Sequence, residues 1–247
     1  MSGYIEIIGA PGTGKTFLYN VLMKQWGRNC YWNPYENLGQ RRPAKLISFK
    51  TIRYVFSLFK QGFENKNKEA ANRFITKHQN FATFSWELIN MMDYDHLNRE
   101  VRFRYIRHLY NVYSRIQFIR ESDSKYPYII DDGLLQKTFL MLLYSQQDLN
   151  HVEKYFDLMP LPKALIALRC EDHELTANRL LNREKKISLH DHRSFNDLII
   201  LCREWNNFVV YTSDYLREKG VEVLFLNAEN DILHSVKMAQ TFLTRLT

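Results

Sequence analysis

Apolar residues along this chain keep two rhythms. Runs of four to six residues, rich in β-branched and aromatic side chains, alternate with longer stretches in which apolar residues return every third or fourth position. Tyr4 to Ile8 (YIEII) is the first short run and stops at Gly9; beyond the glycines, Phe17, Leu18, Val21, Leu22 and Trp26 predict a helix over Lys15 to Trp26. Asn29 to Trp32 (NCYW) reads as a second strand, closed by Asn33 and Pro34. Residues 35–125 hold few Gly or Pro and keep the helical spacing, so several helices are expected there. Tyr126 to Ile130 (YPYII) is the third strand, followed by the helical LLQKTFLMLLYS; Ala164 to Leu168 (ALIAL) is the fourth, and Val221 to Leu226 (VEVLFL) the fifth, before a helix over Asp231 to Leu246. Five strands separated by helices predict an α/β fold: a five-stranded parallel sheet covered on both faces, in a single domain over residues 1–247 with a helical insertion at 35–125 between strands 2 and 3.

The junction of the first strand and first helix carries the strongest chemistry. Gly9-Ala10-Pro11-Gly12-Thr13-Gly14-Lys15-Thr16 fits G-x-x-x-x-G-K-[ST] without a mismatch, in the strand-to-helix setting the motif requires. Glycines let the backbone curl until successive N–H groups point at phosphate oxygens, and the helix adds the positive end of its dipole. The expected ligand is a nucleoside triphosphate with Mg²⁺, Lys15 bridging the β- and γ-phosphates and Thr16 holding the metal.

Two further groups belong beside that loop. The third strand breaks at Asp131-Asp132-Gly133, and a strand running beside the first delivers its end next to the phosphates. Adjacent side chains on extended backbone point opposite ways, so Asp131 is read as the Mg²⁺ carboxylate and Asp132 as the candidate base; a turn without chemistry is the alternative. The fourth strand ends at Arg169, followed by Glu171 and Asp172 as caps and by Arg179 and Arg183, four residues apart on one expected helix face. Two guanidinium groups there could close over the phosphates, with residues 183–193 (REKKISLHDHR) as a polar flap; a solvated helix with internal ion pairs is the plainer alternative.

Composition narrows the ligand without naming it. Lys and Arg total 34 against 27 Asp and Glu, a net charge of +7, which suits an anionic ligand. Between Glu36 and Glu64 no acidic residue occurs, while Arg41 and Arg42 lead a basic series, so Glu36, Arg41 and Arg42 are the candidate residues for a small anionic acceptor. Aromatics interleave with bases in SFKTIRYVFSLFK, where stacking on a nucleobase competes with core packing and packing is favoured. In Val101 to Arg120, the residues Val101, Tyr105, His108, Leu109, Val112, Ile116 and Ile119 form an apolar-leaning stripe opposite a basic face. Cys30, Cys170 and Cys202 are scattered without CxxC spacing, which argues against a disulfide framework or a zinc site. No stretch nears the roughly 18 apolar residues of a membrane helix and the N-terminus has no signal-peptide features, so a cytoplasmic protein with no membrane partner is expected.

The order of GAPGTGKT, a strand ending in an acidic pair, a fourth strand running into EDHELTANRLLNR, and a closing GVEVLFLNAEND with its helix resembles the P-loop nucleoside and nucleotide kinases of the thymidylate kinase and deoxynucleoside kinase type. The likeness covers residues 1–34 and 126–247. It implies a P-loop three-layer sandwich and ATP-dependent phosphoryl transfer, with Lys15, Thr16, Arg179 and Arg183 in the roles above. Asp131-Asp132-Gly133 stands where those families carry an Asp-Arg or Glu-Arg-Ser pair. A P-loop ATPase coupled to a nucleic acid or protein is the second reading; a GTP switch lacks its N-K-x-D motif, and a sulfotransferase-like enzyme does not need the complete Gly-Lys-Thr ending.

Overall fold

The structure, a computed structural model, describes residues 3–25, 65–92, 99–122, 127–145, 148–183 and 193–246. In chain order its elements are β1 (Tyr4–Gly9), α1 (Lys15–Gln25), α2 (65–77), α3 (Gln79–Met91), α4 (Arg99–Glu121), β2 (Tyr128–Ile130), α5 (Leu134–Ser145), α6 (Leu149–Leu158), β3 (Ala164–Arg169), α7 (His173–Leu181), α8 (Phe195–Glu218), β4 (Glu222–Asn227) and α9 (Ile232–Arg245). Backbone proximity divides the chain into two compact units, one built on the sheet and one helical.

The sheet unit is α/β. Its four strands form one parallel sheet in the order β2-β1-β3-β4, with Ile5 beside Ala164, Gly9 beside Leu168, and Ala164 beside Glu222. Parallel neighbours need long crossovers, which the intervening helices supply. Three expected strands, Tyr4 to Ile8, Ala164 to Leu168 and Val221 to Leu226, are displaced by at most one residue at either end; the third expected strand shortens to Tyr128–Ile130. The expected strand Asn29 to Trp32 lies outside the described residues.

Both faces of the central strands are buried, as near-continuous apolar runs require. Ile5 and Ile7 of β1 and Ala164, Ile166 and Leu168 of β3 share a core with Leu18 and Leu22 of α1 and with Val236, Ala239, Phe242 and Leu243 of α9. The alternate residues Leu165 and Ala167 are buried as well, and α8 packs against β1, β3 and β4. Ser194 and Asp197 start α8 with a capping box, and Asp231 caps α9, so the expected C-terminal helix stands with its ends in place. The chain leaves β1, adds β2 on one side and β3 on the other. Such a reversal of strand order opens a crevice beyond the carboxyl end of β1.

The helical unit holds α2, α3, α4 and α6 together by aromatic packing. Phe74 stacks on Tyr113 with ring centroids 4.5 Å apart, and Phe81 meets Tyr155 edge-on at 4.9 Å; each such pair adds about 0.5–1.5 kcal/mol beyond simple burial. On α4, Leu109, Val112, Ile116 and Ile119 are buried as the stripe predicts, together with Tyr113, while Arg104 and Arg107 face solvent. His108 departs from the expected stripe and is exposed. The buried strip continues through Tyr113 instead, five residues further along the helix, because the large ring fills the space opposite Phe74.

Candidate phosphate-binding site

Gly9 ends β1 and the chain turns through Ala10 to Gly14 into α1. Two positive φ angles make this turn, 87° at Gly12 and 86° at Gly14, in the region that L side chains rarely enter. The Thr13 hydroxyl and N–H both donate to the Ala10 carbonyl, at 2.7 and 3.3 Å, and the Leu18 N–H to Gly14 O (2.9 Å) begins the helical ladder. Lys15 is folded back into the turn, its Nζ donating to the carbonyls of Gly9 (2.7 Å) and Ala10 (3.1 Å). Burial lowers the Lys15 pKa to about 8; Asp132 and Asp131 pull it upward, and Arg183 and Lys137 push it further down. The ammonium therefore lies within the field of both expected carboxylates and of Arg183. Thr16, the expected metal ligand, is exposed on the first turn of α1.

The carboxylate turn is organised by a residue that the motifs do not include. Glu6, in the middle of β1, is fully buried. Its Oε1 accepts the Gln136 N–H at 3.0 Å, on the first turn of α5, and its Oε2 has no hydrogen-bond partner among the described residues. Gly133 makes the room: a Cβ there would stand 2.4 to 2.7 Å from the atoms of the Glu6 carboxyl. Burial raises the Glu6 pKa to about 8, against the pull of the Gln136 N–H, with Asp132 adding to the rise. Gln136 then reaches the loop itself: the Gly9 N–H donates to its Oε1 (3.2 Å) and its Nε2 donates to the Gly9 carbonyl (3.3 Å). Asp132 is paired with Lys137, Nζ to Oδ1 at 2.6 Å, and Asp131 is half-buried beside it.

The arginine helix is docked on the same turn. A Cβ at Gly12 would meet the Thr176 carbonyl of α7 at 2.7 Å, so the loop backbone lies directly on the helix. Arg179 donates from one Nη to the carbonyls of Gly12 (3.4 Å) and Ala228 (3.3 Å). Asp172 caps α7 through the Leu175 N–H at 2.8 Å, while Glu171 does not cap: its own N–H, like that of Asp172, is held by the Glu229 carboxylate, at 2.7 and 3.0 Å. The helix ends at Leu181, so Arg183 stands beyond it on the exposed connection and not on a shared face with Arg179, because Asn182 closes the last turn onto Asn178 and Leu180.

The structure thus gathers Gly9 to Thr16, Asp131, Asp132, Arg179 and Arg183 at one end of one sheet. Glu36, Arg41, Arg42, Cys30 and the His190-Asp191-His192 flap lie outside the described residues. Cys170 and Cys202 are free and buried. Four contributors escaped sequence reasoning: Glu6, Gln136, Lys137 and Glu229. For Glu6 a signal exists, a charged residue inside a strand expected to be buried on both faces. No such signal marks Gln136, one polar position in an apolar helix. Among the described residues no three His, Cys, Asp or Glu side chains gather to hold a metal ion. Among the same residues no helix is long and apolar enough to cross a membrane. In comparison with known proteins, the chain matches no family model and no curated sequence.

Proposed function

We propose that this protein is an ATP-dependent phosphotransferase of the P-loop nucleoside and nucleotide kinase type, acting on a small anionic acceptor. The observation that carries the reading is the turn from Gly9 to Thr16, where two glycines with positive φ wrap the backbone around the Lys15 ammonium at the carboxyl end of a central parallel strand. A cation resting on two carbonyls is one that an anion can draw off them. The residues fit Mg²⁺-ATP, which supplies the phosphoryl group and a metal to neutralise its charge. On this reading Lys15 leaves the carbonyls of Gly9 and Ala10 for phosphate oxygens, Thr16 and Asp131 hold the metal, Asp132 orients the acceptor hydroxyl, and Arg183 meets charge developing on the phosphates. Arg179 fastens α7 to Gly12 and keeps the arginine-bearing segment on the loop.

The remainder of the reading is sequence-borne. Asn29 to Trp32 would complete a five-stranded P-loop sandwich, and Glu36, Arg41 and Arg42 would serve the acceptor, in a cytoplasmic enzyme. The test is to incubate purified protein with Mg²⁺-ATP and a panel of nucleosides, nucleotides and phosphorylated sugars. A phosphorylated product supports the proposal. ATP turnover that rises with added polynucleotide or protein, with no acceptor consumed, replaces it with a coupled ATPase, a reading favoured only by the net charge of +7.

A further inference from the structure

Glu6 is a buried carboxyl for which phosphoryl transfer has no use. It lies on β1 three residues before the phosphate loop, fully enclosed, with one oxygen bonded to the Gln136 N–H and the other bare. A helix start ordinarily offers Ser, Thr, Asp or Asn to its free N–H groups. The residue before α5 is Gly133, which has no side chain, and a Cβ placed there would collide with the Glu6 carboxyl. The acceptor for the Gln136 N–H comes instead from a strand 130 residues away in sequence. The residue it caps is the one whose side-chain amide closes on both backbone groups of Gly9.

We propose that Glu6 is a proton-holding positioning residue: its neutral carboxyl serves as the cap of α5 and, through Gln136, fixes Gly9, so that the phosphate loop's grip on a nucleotide depends on one buried proton. The final clause rests on the nucleotide-binding reading above; the proton and the cap do not. A neutral carboxyl keeps an acceptor oxygen for the Gln136 N–H, whereas an ionised one in this enclosure would carry a charge away from water with only the Gln136 and Leu135 N–H groups to offset it. The charged groups that act on it are Asp132, which opposes ionisation, and Lys137, which favours it but is already bound to Asp132 at 2.6 Å. On the β3 side its register partner is apolar, Leu165. When the proton leaves for solvent, the buried charge faces the Asp132 carboxyl with no water to hydrate it; although the anion is the better acceptor for the Gln136 N–H, the enclosure opens to admit solvent, and that opening loosens the hold of Gln136 on Gly9.

Two arms test this, using Glu6→Gln, which mimics the protonated form. In the first, nucleotide-free wild type and variant are unfolded by denaturant across a pH series. Because Glu6 keeps its proton up to about pH 8 while the unfolded side chain releases it near 4.5, wild type should lose stability between those values and level off above them. Relative to the variant, the loss should reach about tenfold in the unfolding constant per pH unit. Parallel curves overturn the proposal. Should the variant fail to fold, carbon-13 carboxyl titration of wild type decides: one glutamate titrating near pH 8 supports the proposal, and all glutamates in the ordinary range overturn it.

The second arm measures binding of a fluorescent ATP analogue with Mg²⁺ on either side of that value. Wild type should weaken on the order of threefold more than Glu6→Gln as the pH rises; the comparison cancels Lys15, which titrates in the same range in both proteins. Equal weakening overturns the link to the loop. Wild type that binds no nucleotide at any pH overturns that link together with the phosphate-loop reading, and the first arm still judges the buried proton.

Discussion

Two helices start beside the phosphate loop, and a distant carboxylate serves each start in a different state. At α7, Asp172 caps the Leu175 N–H locally, and Glu229, from the segment after β4, accepts the N–H groups of Glu171 and Asp172. Glu229 is exposed, and those two amides hold its pKa below the ordinary value. At α5 the Gln136 N–H is held by a carboxyl from another element. Glu6 comes from β1, is enclosed, and is pushed up to about 8 by burial. The same bond, a backbone N–H to a carboxyl oxygen, stabilises the anion at the wet site and cannot outweigh the loss of hydration at the dry one. Solvent decides whether a capping carboxyl carries charge.

The largest effect tests what both helices serve. Lys15→Ala should cut phosphoryl transfer by about 10²–10⁵ and leave the fold intact by circular dichroism, since among the described residues the ammonium bonds only loop carbonyls; turnover near wild type would remove the loop from the chemistry. Next, Gly133→Ala should destabilise by ~1–3 kcal/mol, because the Glu6 carboxyl that it strikes is enclosed and has nowhere to swing. Adding Glu6→Ala should recover part of that loss in a denaturation cycle, and strict additivity would break the proposed contact. At the other helix Asp172→Ala should cost about 1 kcal/mol, as loss of a local N-cap does.

The smallest effect, that of Glu229, sharpens the contrast in sign. Glu229 has a depressed pKa, so its contribution to stability is present above the unfolded value of 4.5 and is lost as pH falls through its folded value. Glu6 has a raised pKa, so its contribution is lost in the other direction, as pH rises from 4.5 toward 8. Glu229→Gln should flatten only the acid limb of the stability profile and Glu6→Gln only the neutral limb. Both variants altering the same limb would erase the distinction.

Periodicity and one motif made the sheet unit legible. The apolar runs locate β1, β3 and β4 to a residue, and G-x-x-x-x-G-K-[ST] marks the turn, because each depends on residues adjacent in sequence. The spacing of Arg179 and Arg183 pointed to the correct helix, but Asn182 ends it before the second arginine. Asp-Gly at 132–133 reads as an ordinary turn, whereas the glycine is there as clearance for a carboxyl from another strand. Gln136 and Glu229 act across 127 and 57 to 58 residues. Pairings of that span leave no trace in local spacing; they follow from which strands become neighbours.

The strand order also sets a timetable for synthesis. Tyr4–Gly9 pairs with a strand whose matching residues come 159 positions later, as Ile5 with Ala164 shows. At about 5–20 residues per second, β1 waits on the order of ten to thirty seconds on the ribosome for that partner. Before the sheet forms, Glu6 is an ordinary solvated glutamate, ionised at neutral pH, a charge in the middle of an apolar segment, which is the placement that discourages strand-to-strand aggregation. The charge is relinquished only when the sheet closes over it, so one side chain guards the nascent strand and later caps a helix in the finished protein.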